Sequence, residues 1–142
     1  MRIVCSGPAF REHERQNLQH LGILDKTINF YATDVQMAQL YHDAEMLVVP
    51  SYYEGFGMPI LEAWVYNCPV VLSNASCLPE IAGDAGIYFD PYDAEEMSAK
   101  MSLMLDSPSR RKQQVELCQQ RLADFSWEKC AGEHLAVYKS LI

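Results

Sequence analysis

The sequence predicts an α/β domain built on a doubly wound parallel sheet. Short apolar runs alternate with segments of helical periodicity along the chain, and this alternation implies crossovers between parallel strands. One apolar run, Leu47-Val48-Val49, stops at Pro50, as a buried parallel strand would. The chain has 142 residues, the length of one domain, and no repeat or linker interrupts it. We therefore expect residues 1–142 to form one domain.

Apolar runs bounded by turn residues define five predicted strands, and apolar residues at helical spacing define seven helices between and after them. The predicted strands are residues 3–5, 28–30, 46–49, 70–72 and 86–89. The predicted helices are residues 9–21, 34–42, 59–66, 78–82, 94–105, 108–123 and 127–141, the last of which closes the domain.

Individual residues indicate where several helices begin and end. Gly22 is typical of the position just after a helix, where the backbone turns left-handed. Asn67 is expected to do the same after the third helix, because Asn is the next best residue after Gly in that conformation. Thr33 or Asp34 can cap the second helix. Trp127 is interpreted as the anchor of the last helix.

Composition excludes several classes of protein. The formal net charge of −8 argues against nucleic acid as a partner, because no basic stripe exists to replace counterions. No apolar stretch approaches the roughly 20 residues needed to cross a bilayer, and the N-terminal apolar run is too short for a signal peptide. The five cysteines include no CxxC pair, and the four histidines lack metal-ligand spacing. These features favour a reducing, cytoplasmic compartment and predict no metal site.

The segment from Pro50 to Glu62, PSYYEGFGMPILE, carries the strongest functional signal. Gly55 and Gly57 allow the backbone to turn tightly and to approach a ligand. Pro59 suits the first helical position, where its missing N–H costs nothing. The unpaired N–H groups near the start of this helix would lie at the positive end of its dipole, which is a site for an anion such as phosphate.

Two carboxylates bracket this predicted phosphate site. Glu54 precedes the glycine loop, and Glu62 lies in the second turn of the helix that follows. Carboxylates repel a bare phosphate, but they accept hydrogen bonds from hydroxyl groups such as those of a ribose or another sugar. The residues therefore predict a site for a phosphate with a sugar attached.

The same segment resembles a known family. A Glu, seven residues and a second Glu, written EGFGMPILE here, is similar to the signature of the retaining GT-B glycosyltransferases of family 4, also called group 1. Three further stretches resemble the family in order and spacing: LYHDAEMLVVPS, EAWVYNCPVVLSNASCLPEIAGDAGIYFDP and FSWEKCAGEHLAVYKSLI. The resemblance covers residues 28–142, and residues 2–27 more loosely. It implies a Rossmann-like half of a GT-B fold.

The resemblance also implies roles for the site. Glu54 would be the catalytic residue that faces the transferred sugar, and Glu62 would hold the ribose hydroxyls of a nucleotide-sugar donor. Donor binding would further involve Gly55, with the N–H groups of Phe56, Gly57 and Met58 on the pyrophosphate. The full enzyme would be a retaining, hexosyl-type glycosyltransferase that moves a sugar to an acceptor hydroxyl, with no cofactor and no metal.

Alternatives remain open at this point. Glu54 could be a solvated loop acid, and Glu62 could serve only the helix dipole. A GT-B-like sugar-nucleotide epimerase and a non-catalytic nucleotide-binding module are rival functions. The turn at residues 30–34 is shorter than in the family and faces the base there, so no base preference carries over.

Family enzymes use an Arg and a Lys from a segment upstream of the strand that begins this chain, and no residue here matches them. The chain is therefore expected to be the donor-binding domain of a larger enzyme whose N-terminal domain binds the acceptor, a saccharide or a lipid-linked molecule. Alone, it is expected to bind nucleotide weakly and to transfer no sugar. Peripheral attachment of the full-length enzyme to a membrane stays open.

Overall fold

The computed structural model of the chain describes residues 1–141, which fall into two compact units divided between Leu40 and Tyr41. Strands alternate with helices throughout the described residues, as predicted. The strands are β1 (Ile3–Ser6), β2 (Thr27–Phe30), β3 (Leu47–Val49), β4 (Val70–Ser73) and β5 (Gly86–Phe89). The helices are α1 (Glu12–His20), α2 (Asp34–Asp43), α3 (Met58–Val65), α4 (Leu78–Ala82), α5 (Ala94–Leu105), α6 (Pro108–Leu122) and α7 (Trp127–Ser140).

The first unit contains a two-stranded parallel sheet. β1 and β2 pair with Ile3 opposite Thr27 and Ser6 opposite Phe30, and α1 forms the crossover between them. Gly22 adopts φ +67° just after α1, as predicted. A short 3₁₀ turn at Leu24–Lys26, which the sequence did not predict, leads into β2.

Helix α1 begins three residues later than predicted. The backbone N–H of Phe10 donates to the side-chain oxygen Oδ1 of Asn29 in β2 at 3.1 Å. The N–H of Arg11 donates to the Glu14 carboxylate at 2.7 Å, which is the reciprocal half of a capping box. Because these side chains hold the N–H groups of Phe10 and Arg11, the helix does not begin until Glu12.

The second unit contains a three-stranded parallel sheet in the order β3-β4-β5. Leu47 pairs with Val70, and Val70 pairs with Gly86 on its other side. All four residues of the central strand β4 are buried, which agrees with the apolar run Val70-Val71-Leu72 in its sequence. The prediction of an α/β fold with parallel strands is confirmed.

The core of the second unit surrounds β4. Val71 packs with Phe89 and Met104 in a buried cluster that methionine side chains extend. Helices α3 and α6 pack against each other, and α3 buries Trp64 completely. The side chain of Gln119 on α6 donates to the Trp64 carbonyl, which ties the two helices together by a polar contact as well.

The end of α3 confirms the left-handed turn expected at Asn67, whose φ is +61°. The N–H of Asn67 donates to the Trp64 carbonyl at 3.0 Å, and the N–H of Cys68 donates to the Ala63 carbonyl at 3.0 Å. These two bonds form a Schellman motif, which satisfies carbonyl groups that the end of a helix leaves unpaired. The same pattern closes α1 at Gly22.

The closing helix α7 forms as predicted, but the role expected for Trp127 is wrong. Its side chain is 76% exposed, so it does not anchor the helix in the core. The helix instead begins with a polar cap, because the N–H of Lys129 donates to Oγ of Ser126 at 3.0 Å. Within residues 1–141, no helix combines the length and the apolar character that crossing a membrane requires.

Substitution of Asn67 tests the left-handed helix end. We expect Asn67→Ala to lower the free energy of unfolding by about 1 kcal/mol, because Ala tolerates a positive φ less well than Asn. Asn67→Gly should change it by no more than about 0.5 kcal/mol, since relief of strain offsets the greater freedom of Gly in the unfolded chain. Urea unfolding measures both. Gln113→Ala, on the exposed side of α6, is the control for loss of a polar side chain, and an equal loss there would contradict the prediction.

Candidate functional site

The segment between β3 and α3 follows the carboxyl end of a parallel strand, where ligands bind in sheets of this class. Residues 50–57 form no helix or strand, and α3 begins at Met58 directly after Gly57. Pro59 is therefore the second helical residue and not the first, which its missing N–H tolerates equally well. Gly57 turns the chain into the helix with φ +92° and ψ +41°.

Gly57 is required by space as well as by backbone conformation. A Cβ at this position would lie 3.0 Å from Cδ1 of Ile60 and 3.0 Å from Cδ2 of Leu78, both buried side chains. Gly55 differs, because a Cβ there would meet no atom within 4 Å and its φ is not left-handed. The two glycines of the motif therefore have different physical roles, which the sequence alone did not distinguish.

The N–H groups predicted to bind an anion lie at this turn. Within the described residues, the backbone N–H groups of Phe56, Gly57 and Met58 donate no hydrogen bond. The side chains of Phe56 and Met58 are each 41% exposed, so this end of α3 is open to solvent. Unpaired donors at the positive end of a helix dipole suit a negatively charged ligand.

Glu54 is partly buried and held on both its side chain and its backbone. The Ser51 hydroxyl donates to Oε1 of Glu54 at 2.7 Å. The backbone carbonyl of Glu54 accepts hydrogen bonds from the Ser76 hydroxyl at 2.8 Å and from the Cys77 thiol at 3.2 Å. Ser73, at the end of β4, also donates to the Ser51 carbonyl at 2.5 Å. These contacts argue against the interpretation of Glu54 as a freely solvated acid.

Glu62 lies one turn into α3 and is exposed. The phenol of Tyr41, near the end of α2, donates to Oε2 of Glu62 at 3.0 Å. Burial raises the pKa of Tyr41 above its usual range, and the hydrogen bond to the Glu62 carboxylate raises it further. Tyr41 therefore keeps its proton and remains a donor around neutral pH. Both acids of the motif thus have a hydroxyl partner that fixes one of their oxygens.

Phe56 connects the loop to the turn between α6 and α7. Its ring meets the ring of Phe125 edge-on, with centroids 6.2 Å apart. The guanidinium of Arg121 lies 5.1 Å from the centroid of the Phe125 ring, a cation–π geometry. Arg121 also donates to the carbonyls of Glu80 and Ile81, at 2.8 and 3.0 Å, in α4. The exposed loop is therefore supported by the α6–α7 turn and not by its own residues alone.

The structure places every predicted site residue in one connected segment, with Glu54 before the Gly57 turn and Glu62 after it. Sequence reasoning missed the residues that hold the two acids. These are Ser51, Ser76, Cys77 and Tyr41. Ser51 lies within the motif, so its spacing of three residues from Glu54 was a usable signal. The others come from distant positions, and only the fold brings them to the site.

Comparison with known protein families identifies the family of this chain. Residues 2–121 match the family described as glycosyl transferases group 1. The chain belongs to this group 1 family. The match spans both glycines and both acids of the motif, and it includes β1 to β5.

Among curated group 1 relatives, the O-antigen chain mannosyltransferase B of Escherichia coli is 41% identical over 111 residues, covering 78% of this chain and 29% of that protein. The MMP alpha-(1->4)-mannosyltransferase of Mycolicibacterium hassiacum is 35% identical over 114 residues, covering 78% of this chain and 28% of that protein. The chain thus spans less than a third of the length of either relative.

Solved structures agree on the fold. Sucrose-phosphate synthase from Thermosynechococcus elongatus superposes with a TM-score of 0.80 at 25% identity, over 97% of this chain and 37% of that one. Anabaena HepE, solved in complex with UDP, superposes with a TM-score of 0.79 at 18% identity, over 92% of this chain and 36% of that one. The predicted Rossmann-like half of a GT-B fold is therefore confirmed.

The two glycines provide a matched test of the loop. Gly57→Ala places a residue with a Cβ in the left-handed conformation, and that Cβ crowds Ile60 and Leu78. We therefore expect the substitution to lower the free energy of unfolding by about 1–3 kcal/mol. Gly55→Ala has open space and should change it by no more than about 0.5 kcal/mol. Urea unfolding of the two variants side by side measures the difference. Equal losses would show that the Gly57 turn is not the constraint described here.

Proposed function

We propose that this chain is the nucleotide-sugar donor domain of a retaining glycosyltransferase of family 4. The full enzyme would transfer a hexosyl group from a nucleotide-sugar to an acceptor hydroxyl with retention of configuration. The observation that carries the proposal is the Gly57 turn, which leaves three N–H groups unpaired at the start of α3 between two hydroxyl-held carboxylates. The group 1 match supports the same function class.

The proposed roles follow the chemistry of each group. The N–H groups of Phe56, Gly57 and Met58 bind the pyrophosphate, and they stabilise the charge that grows there as the sugar leaves. Gly55 keeps the loop free of a side chain next to this ligand. Glu54 faces the transferred sugar, and its carboxylate orients the sugar and stabilises positive charge on it during transfer. Glu62 accepts hydrogen bonds from the ribose hydroxyls.

The relatives support the donor class without fixing its base or its sugar. Two curated relatives are mannosyltransferases by name, which favours a hexose as the transferred group. The Anabaena structure contains UDP, which supports a nucleoside diphosphate as the product on the donor side. The epimerase and the non-catalytic module are not favoured, since the curated relatives named above are glycosyltransferases.

The remaining parts of the proposal concern the whole enzyme. An N-terminal domain would bind the saccharide or lipid-linked acceptor and supply the Arg and Lys that the family resemblance implies. With those cations and the α3 terminus present, the reaction would need no metal. The five cysteines are unpaired, which supports a cytoplasmic location. The expectation that the chain alone transfers no sugar stays a prediction.

Nucleotide binding by the chain tests the donor site. We expect one of UDP, GDP and ADP to bind in the millimolar range, because a half-site lacks the cations of the full enzyme. Glu62→Ala should weaken that binding about tenfold or more, as loss of a hydrogen bond to a charged group does. Ligand-observed NMR detects affinities of this order. Glu116→Ala, an acid on α6 outside the motif, is the control. No response from either the chain or the full-length enzyme would contradict the proposal.

Glu54→Gln in the full-length enzyme separates chemistry from binding. Gln preserves the shape of Glu and can still contact Ser51, but it removes the negative charge. We expect the transfer rate to fall by about 10²- to 10³-fold, the usual effect of removing one transition-state contact. Nucleotide affinity should change by less than about threefold. Steady-state kinetics and nucleotide titrations give the two values, and an unchanged rate would identify Glu54 as a structural acid.

A further inference from the structure

Tyr41 contacts the motif although it lies outside the sequence signature. Its side chain is only 6% exposed, while its phenol reaches the exposed Glu62 and donates to Oε2 at 3.0 Å. A buried ring with a polar tip at the surface is a rigid support for whatever its hydroxyl holds. The ring of Tyr66 lies almost parallel to it, at 15°, with centroids 6.3 Å apart. Tyr41 therefore has little freedom to move away from Glu62.

Glu62 needs such a support. A glutamate on a solvent-facing helix surface samples several rotamers, and ordering it on ligand binding costs free energy. The hydrogen bond from Tyr41 selects one orientation before any ligand arrives. A carboxylate offers about four positions for hydrogen bonds, so one bond to Oε2 leaves the group able to accept from a ligand.

We propose that Tyr41 is a positioning residue for the donor ribose, which acts by holding the Glu62 carboxylate in the orientation that accepts the ribose hydroxyls. This inference rests on the proposed ribose role of Glu62. It adds a residue from α2 that touches no part of the ligand itself. A phenol is protonated across the neutral pH range in any case, and burial raises the pKa of Tyr41 further, so the hydrogen-bond donor is present there.

The experiment combines a protein change with a ligand change. Tyr41→Phe keeps the buried ring and removes only the hydroxyl. The probes are the nucleoside diphosphate that binds best among UDP, GDP and ADP, and its 2′,3′-dideoxy counterpart, which lacks the ribose hydroxyls. Affinities come from NMR titrations of the chain, or of the full-length enzyme where the chain alone binds too weakly.

We expect Tyr41→Phe to weaken binding of the ribonucleotide by about 3- to 10-fold, the cost of ordering one flexible side chain. The affinity of this variant for the dideoxynucleotide should equal that of the unaltered protein, because this ligand has no ribose hydroxyls to donate to Glu62. Tyr66→Phe is the matched control. It removes a hydroxyl from the stacked ring and leaves the Tyr41–Glu62 hydrogen bond in place, so both affinities should match the unaltered protein.

Four results would overturn the inference. Equal weakening of both nucleotides by Tyr41→Phe would indicate a general structural role, and no weakening of either would indicate no role. The Glu62→Ala variant distinguishes the other two. If it abolishes the preference for the ribonucleotide while Tyr41→Phe preserves that preference, Glu62 binds ribose without help from Tyr41. If Glu62→Ala leaves the preference intact, the proposed role of Glu62 fails and this inference fails with it.

Discussion

The left-handed turn at Gly57 is the constraint on which the site depends. It sets the residue at which α3 begins, and thereby which N–H groups stay unpaired and which side of the helix carries Glu62. A positive φ is costly for any residue with a Cβ, and the close approach of Ile60 and Leu78 leaves little space for one. Because Ile60 and Leu78 pack against the buried side of the turn, the conformation of its exposed, polar side is fixed as well. Gly57 therefore contributes both to the packing of the core and to the geometry of the site.

A loop without regular structure must obtain its rigidity from elsewhere. In this chain it comes from the end of β4 and the residues that follow it, since Ser73, Ser76 and Cys77 all donate to carbonyls of the Ser51–Glu54 segment. Ser76 adopts φ +56°, an uncommon conformation for a residue other than Gly. The hydrogen bond from Ser76 to the Glu54 carbonyl offsets part of this backbone strain. Adjacent parallel strands thus bring two loops together at their carboxyl ends, and one loop supports the other.

The sequence predicted what depends on local pattern. Within residues 1–141, short apolar runs predicted the five strands and helical spacing predicted the seven α-helices. Asn67 lies in the expected left-handed turn. The sequence could not predict effects that depend on distant residues. Asn29 delays the start of α1 through a contact 19 residues away in sequence. Trp127 is a large aromatic residue of a kind often found in a core, yet its local sequence does not indicate whether it is buried. The hydroxyl groups that bond to Glu54 and Glu62 also come from distant positions in the sequence, except for that of Ser51.

In the proposed function, the two carboxylates give a reason for a donor domain to act only together with a second domain. In the proposed function each phosphate of the donor carries a negative charge, while the start of a helix supplies only about half an elementary positive charge. Glu54 and Glu62 add negative charge nearby, and like charges repel each other. Arg121, which lies over the Phe125 ring, is already engaged by Asp124 and by two carbonyls of α4. The domain would therefore orient the donor, and neutralising it would require cations from the other half of the enzyme. Transfer would then begin only when both halves hold the same ligand.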